Sequence, residues 1–193
     1  MKDTIVLIDS GFLSKISKKF GKGRYLAYDI KKLAENLAKK QDLNCKKIFY
    51  YTAPPFQSIP STKEENLRRK KYDKFITSLL RKNITIREGK CHMINNKYQQ
   101  KGVDTLLTID LSHVKEDFPE IKKIILISSD TDFCPIIKDI KKRNNIEVIL
   151  YSYFDKKRQS KFSISNELIQ CCSRFIQLTK QDFDNSPLEK EES

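Results

Sequence analysis

Apolar residues in this chain come in two spacings that alternate along its length. Short β-branched or aliphatic runs, four to six residues long, are separated by longer stretches in which apolar positions recur every three or four residues. Ile5-Val6-Leu7-Ile8 reads as a buried strand over 4–9, 46–52 (Lys-Lys-Ile-Phe-Tyr-Tyr-Thr) as a second, 123–128 as the clearest, and 146–151 and 174–178 as two more. Between them, Ile30, Leu33, Ala34, Leu37 and Ala38 fall on one side of a helix over 28–40, with lysines opposite. Further helices are expected from 61 to about 81, over 104–112, over 133–143 and over 163–172. Three prolines in 53–60 deny backbone donors and make that stretch a loop. Residues 83–94 read as an extended edge segment, with a turn at Asn95-Asn96. Strand alternating with helix predicts an α/β domain with a mostly parallel sheet. One domain over 1–180 is expected, followed by a polar, acidic, frayed tail over 181–193.

The strands end in a telling way. Ile124-Ile125-Leu126-Ile127-Ser128-Ser129 stops at Asp130-Thr131-Asp132; the first strand stops at Asp9; Lys101-Gly102-Val103 stops at Asp104. Parallel strands carry their C-terminal ends to one edge of the sheet, and open α/β sheets bind ligands there. Each aspartate also has a plain structural use. Asp132 fits an N-cap ahead of Pro135, Asp104 fits a cap for the helix behind it, Asp130 fits a turn, and Asp9 fits the start of a turn into Ser10-Gly11. Taken together they suggest carboxylates gathered at one place, which like-charge repulsion disfavours unless a cation joins them.

Charge sharpens this. Lys and Arg number 38 against 25 Asp and Glu, a net charge of +13. A basic chain with a local acidic pocket has the electrostatic layout of a divalent-metal site that works on a polyanion. Charge alone fits equally a Lys-, Asn- and Ile-rich composition of the kind AT-rich coding produces. Five cysteines (Cys45, Cys91, Cys134, Cys171, Cys172) form no C-x-x-C pair, and only His92 and His113 supply imidazole. A disulfide framework, a zinc centre and a His-based triad are all poorly supported, so any chemistry should rest on carboxylates. No run resembles a membrane span and no signal peptide is visible, so a cytoplasmic protein without a membrane partner is expected. A homodimer is left open.

Ile-Asp9-Ser-Gly, Lys101-Gly-Val-Asp104-Thr-Leu-Leu-Thr-Ile-Asp110 and Ile-Ser-Ser-Asp130-Thr-Asp132-Phe together resemble the NYN domain, a branch of the PIN-like nucleases that includes LabA-like proteins. The resemblance spans roughly 3–178. It implies a PIN-like three-layer α/β/α fold and a Mg²⁺- or Mn²⁺-dependent ribonuclease. Its metal and catalytic residues would be Asp9, Asp104, Asp130 and Asp132, with Asp132 sharing its role with helix capping. Asp110 lies about 240° around the helix from Asp104 and is expected to be peripheral or to support the ligands from behind. Many members carry Asn three residues after the first aspartate, where this chain has Phe12; Ser10, Ser129 and Thr131 are candidates to replace it. RNA, single-stranded, is the expected partner. Tyr151, Tyr153 and Phe154, interleaved with Lys156, Lys157, Arg158 and Lys161, suggest a strand-binding loop. Lys101 is a further candidate for phosphate contact, while Arg68-Arg69-Lys70-Lys71 reads more readily as a wet helix face, and loop 53–62 would line the substrate groove. Two rivals remain: a non-catalytic RNA-binding or regulatory module on the same fold, and a small-substrate phosphatase. A phosphatase with an aspartyl nucleophile wants its Asp-x-Asp after the first strand, where Gly11 sits instead.

Overall fold

In the computed structural model, residues 1–94, 97–155, 162 and 165–188 are described. The chain runs β1 (Lys2–Asp9), α1 (Ser10–Phe20), α2 (Ile30–Lys39), β2 (Leu43–Thr52), α3 (Lys63–Arg81), β3 (Thr85–Glu88), β4 (Lys90–Ile94), β5 (Lys97–Lys101) and α4 (Val103–Asp117). It continues β6 (Lys123–Ile127), a 3₁₀ turn (Thr131–Phe133), α5 (Cys134–Asn144), β7 (Glu147–Ser152), α6 (Asn166–Cys171), β8 (Arg174–Gln177) and α7 (Lys180–Asp184). Six strands form one sheet in the order β3-β2-β1-β6-β7-β8, and β4 pairs with β5 in a separate antiparallel hairpin. Every pairing within the six-stranded sheet is parallel. The order turns back between β1 and β6, so the topological switch point lies there.

The continuous apolar runs are explained by burial on both faces of the sheet. Successive side chains alternate sides. Ile5, Leu7, Phe49, Tyr51, Ile124, Leu126, Val148 and Leu150 face one core, with Val103, Leu107, Leu111 and Val114 of α4 and Ile137 and Ile140 of α5. Val6, Ile8, Ile48, Tyr50, Ile125, Ile127, Ile149 and Tyr151 face the other, with α1, α2 and Phe183. The three-layer α/β architecture expected from sequence is therefore present.

Two elements depart from expectation. Asp9-Ser10-Gly11 does not open a turn but starts α1: the Asp9 carboxylate accepts from the Phe12 N–H at 3.2 Å, and Phe12, Leu13 and Ile16 are buried on one side. Gly11 lowers helix propensity by about 1 kcal/mol, which hides a helix that capping and burial restore. The segment after Lys180 is not frayed through residue 188. The Asp182 carboxylate accepts from the Thr179 N–H at 2.7 Å and the Thr179 hydroxyl at 2.8 Å, closing the first turn of α7. Phe183 then packs edge-on against Tyr28 at 4.8 Å and Phe20 at 5.6 Å, and Asp182 pairs with Lys40.

The edge segment 83–94 divides into β3, which joins the sheet, and β4, which leaves it. Gly89 makes the division. A Cβ there would meet the Lys101 carbonyl oxygen at 2.4 Å and the Val103 side chain at 2.8 Å, so only glycine lets the hairpin and the start of α4 approach so closely. The turn expected at Asn95-Asn96 lies outside the described residues.

Candidate acidic site at the switch point

β1 and β6 are neighbours in the sheet, with Ile8 in register with Ile127, so Asp9 and the Ser128–Asp132 segment leave it side by side. Ser128, fully buried, connects them. Its hydroxyl donates to the second Asp9 carboxylate oxygen at 3.1 Å and accepts from the Asp130 N–H at 3.1 Å. Asp130 in turn accepts from the Asp132 N–H at 2.9 Å and caps the 3₁₀ turn. Asp104 arrives from the other side, in the first turn of α4, behind Gly102 in the left-handed conformation at φ 80°.

Electrostatics report how close these groups are. Burial pushes the Asp9 carboxyl above its ordinary range; bonds from Phe12, Ser128 and Gly11 oppose that, and the Asp130 charge adds to it. Burial also raises Asp104, helped by the carboxylates of Asp130, Asp9 and Asp132. Asp104 thus feels the charges of Asp9, Asp130 and Asp132, and Asp9 feels that of Asp130. None of them forms an ion pair among the described residues, although Asp110, Asp29 and Asp182 each do.

The donor set is hard oxygen throughout, which suits Mg²⁺ or Mn²⁺. Among the described residues no three or more His, Cys, Asp or Glu side chains are grouped tightly enough to hold a metal ion between them. One Asp9 oxygen caps α1 and the other accepts from Ser128, so little of Asp9 is free for a closed cage. Residues and chemistry therefore fit an ion that keeps several of its waters, as Mg²⁺ commonly does, and not a dehydrated structural site.

Several expected roles change. Asp130, not Asp132, does the capping; Asp132 stands exposed with its carboxylate open. Phe12 points into the core and brings no polar group to the site. Ser10 is also buried, close to Tyr50, whose phenol burial keeps from ionising. Ser129 and Thr131 flank Asp130 and are half-buried. Asp110 faces away from the cluster, as its helical spacing requires, and takes two bonds from Arg87 at 2.8 and 2.9 Å and one from the Tyr51 hydroxyl at 2.7 Å.

The aromatic half of the expected 151–162 loop belongs to the core. Tyr151 is buried and donates to the Leu37 carbonyl at 3.0 Å; Tyr153 stacks edge-on with Phe20 and Phe162; Phe154 lies against Phe175. Strand β7 needed apolar cover at its end, and these rings supply it. Lys156, Lys157, Arg158 and Lys161 lie outside the described residues.

A different groove opens beside Asp9. A cleft of about 370 Å³ is lined by Ser10, Gly11, Ser14, Tyr50, Thr52, Pro55, Arg68, Tyr72 and Gln100, among others. Arg68, Tyr72 and Phe75 are spaced to share one face of α3, and all three line it. The basic run is thereby split: Arg68 faces the cleft, while Arg69 pairs with Asp73 at 2.8 Å on the outer face. That i, i+4, i+7 spacing was the available signal. Ser128 and Gln100 had none, since nothing local marks a serine or glutamine as bridging two strands. Lys101, next to Gln100 on β5, points to the opposite face of the hairpin by strand alternation.

A parallel six-stranded sheet covered by helices on both faces defines the class: a three-layer α/β domain. The chain belongs to the NYN domain family, whose profile matches residues 3–179. NYN domains are generally nucleases. The fold is also similar to a crystal structure of a protein of unknown function, VPA0982, from Vibrio parahaemolyticus RIMD 2210633. Sequence identity is 16%, TM-score 0.65, and the match covers 94% of this chain and 95% of that one. No functionally curated protein matches the sequence. Among the described residues no helix is long and apolar enough to cross a membrane.

Proposed function

We propose that this protein is a metal-dependent ribonuclease that hydrolyses phosphodiester bonds in single-stranded RNA. The observation that carries the reading is the convergence of Asp9, Asp104, Asp130 and Asp132, without a basic partner among the described residues, in a chain of net charge +13. Such a cluster is unfavourable by itself and becomes favourable with a divalent cation. A largely hydrated Mg²⁺ or Mn²⁺ would be held here by at most two of these carboxylates directly and by the others through its waters; when bound it supplies an activated water and offsets charge on the phosphate. Asp9 is oriented by its two fixed hydrogen bonds, so its position does not depend on the ion. Asp104, in the first turn of α4, would face the ion from the side opposite β1 and β6. Arg68 and Gln100 offer donors to the strand in the adjoining cleft. The five free thiols agree with a reducing, cytoplasmic setting.

A second reading is favoured by one observation. Phe12 is buried in the core where many relatives carry Asn, and this suits a non-catalytic RNA-binding module on the same fold. Incubating labelled single-stranded RNA with Mg²⁺ or Mn²⁺, with EDTA and Asp130→Asn as controls, separates the two. Cleavage abolished by both controls supports the nuclease. Binding without cleavage supports the module, and turnover of only small phosphate esters would overturn both.

A further inference from the structure

The hairpin β4–β5 stands apart from the main sheet and carries an exposed ring next to the acidic site. Tyr98 leaves 54% of its surface to solvent, although a tyrosine of a hairpin has an apolar face to bury. It is not alone. Phe56, from the proline-rich loop, lies 5.8 Å from it centroid to centroid with the planes tilted by 37°. The Arg68 guanidinium sits 5.6 Å from the Tyr98 ring centre. Three elements distant in sequence, β5, the 53–62 loop and α3, therefore meet to build one surface of two rings and a cation.

Its placement gives it a direction. Tyr98 and Gln100 occupy the same face of β5, two residues and about 7 Å apart. Gln100 reaches toward Gly11, whose added Cβ would lie 3.9 Å from the glutamine oxygen and 3.2 Å from an Asp9 carboxylate oxygen. Arg68 belongs both to the ring surface and to the cleft that Gln100 lines. One line of contacts thus runs from Asp9 past Gly11 and Gln100 to Arg68 and Tyr98.

We propose that Tyr98, Phe56 and Arg68 form a base-stacking platform that holds an unpaired nucleobase of a single-stranded nucleic acid whose backbone enters the cleft toward Asp9. Stacking needs a half-exposed aromatic face, a nearby cation for the following phosphate and no competing carboxylate; the rings and Arg68 meet the first two needs. Every base has a π-face, so the platform selects for unpaired strands and not for a sequence. Base pairing would deny the face to Tyr98, so duplex RNA is disfavoured here. The proposal rests on the chain acting on RNA, but not on its cutting it.

The chain contains no tryptophan, so Tyr98→Trp introduces a single indole reporter. In EDTA, where no metal-dependent turnover occurs, oligo(rA) binding is followed by anisotropy of a labelled strand and, in parallel, by indole fluorescence. The expected result is quenching that saturates with the anisotropy curve. An abasic ribose-phosphate oligomer of the same length should leave the indole unquenched. Tyr98→Ala should weaken oligo(rA) binding by between about 5-fold and about 100-fold, and Tyr98→Phe by less than about 3-fold. The Phe variant, with a melting curve matching wild type, guards against a misfolded hairpin. Binding with an unquenched indole, equal quenching by the abasic oligomer, an affinity unchanged by Tyr98→Ala, or no RNA binding at all would each overturn the platform. Quenching in a protein that never cleaves RNA with Mn²⁺ keeps the platform and removes the nuclease reading. Cleavage without quenching does the reverse.

Discussion

Two groups of aspartates lie on either side of α4, and they are built oppositely. Asp110 is answered in full: Arg87 gives it two bonds, the Tyr51 hydroxyl a third, and Arg87 itself rests over the Phe49 ring at 5.7 Å. Asp104, six residues earlier on the same helix, has no basic partner among the described residues and stands in the field of three more carboxylates. The protein has thirteen more positive than negative charges, yet none of the described ones pairs with Asp9, Asp104, Asp130 or Asp132. A carboxylate answered by an arginine ties β2, β3 and α4 together. Carboxylates left unanswered lower stability and persist where something else gains from them.

The sharpest test of the contrast is the pair Asp9→Asn and Asp110→Asn. Asn retains the ability to cap α1, so Asp9→Asn should fold normally while RNA cleavage falls by at least about 100-fold, on the scale of losing one transition-state charge contact. A variant that cleaves at the wild-type rate would remove Asp9 from the site. Saturating Mn²⁺ should raise wild-type Tm by roughly 5–10 °C at about 100-fold excess over its Kd, and should do much less in Asp9→Asn/Asp104→Asn. Equal shifts in both proteins would place the cation elsewhere.

Asp110→Asn should move the other quantity. It leaves the partly exposed Arg87 unpaired, and a loss of about 2 kcal/mol, or roughly 4–8 °C in Tm, is expected. Cleavage measured well below that Tm should stay within about threefold of wild type. Loss of cleavage with an unchanged melting curve would merge the two groups into one site.

The pH response should also differ in sign. Asp9 and Asp104 hold protons more tightly folded than unfolded, so the burial of their charges, with the repulsion between them, weighs on the fold at neutral pH and is relieved as pH falls toward the ordinary aspartate range. Asp29 runs the other way. Burial raises its carboxyl, but Lys82 and the Lys32 and Lys31 N–H groups outweigh burial and the net shift is downward. Its contribution is present above the ordinary range and lost as pH falls through its folded pKa. In EDTA, Asp9→Asn/Asp104→Asn should melt above wild type near pH ~7.5, and the gap should close by about pH 4. A gap that widens on acidification would contradict the raised carboxyls.

The smallest effect on stability is expected at Ser128→Ala. It removes the bridge between Asp9 and Asp130 and leaves a buried N–H without its partner, at a cost of about 1–2 kcal/mol. Cleavage should fall by about 10- to 100-fold, as for other residues that orient ligands. Ser128→Thr, which keeps the hydroxyl, should restore part of it.

Much of this was legible from spacing alone. The apolar runs at 4–9 and 123–128 are strands because both faces are covered, and helix α2 is visible because Leu33, Ala34, Leu37 and Ala38 repeat at its period. The places of Asp9, Asp130 and Asp132 were legible because strand ends mark themselves: apolar residues stop where the core stops; Asp104 lies instead in the first turn of α4. Helix α1 was hidden by Gly11, and α7 by the acidic residues around Phe183, since one buried ring decides whether a short polar segment docks. The rings at 151–154 misled because interleaved aromatics and cations look the same whether the rings face water or the core.

Local pattern, then, determined most of the strands and helices, though not α1 or α7, and that acidic groups follow β1 and β6. Backbone periodicity and burial act over a few residues, so they are written in the chain. Tertiary structure alone decided that Ser128 joins Asp9 to Asp130, that Arg87 answers Asp110 and leaves Asp104 open, and that Tyr98 meets Phe56 and Arg68. Apart from Ser128 to Asp130, those contacts join residues from 23 to 119 positions apart, and charge compensation depends on distance in space, which no local spacing encodes.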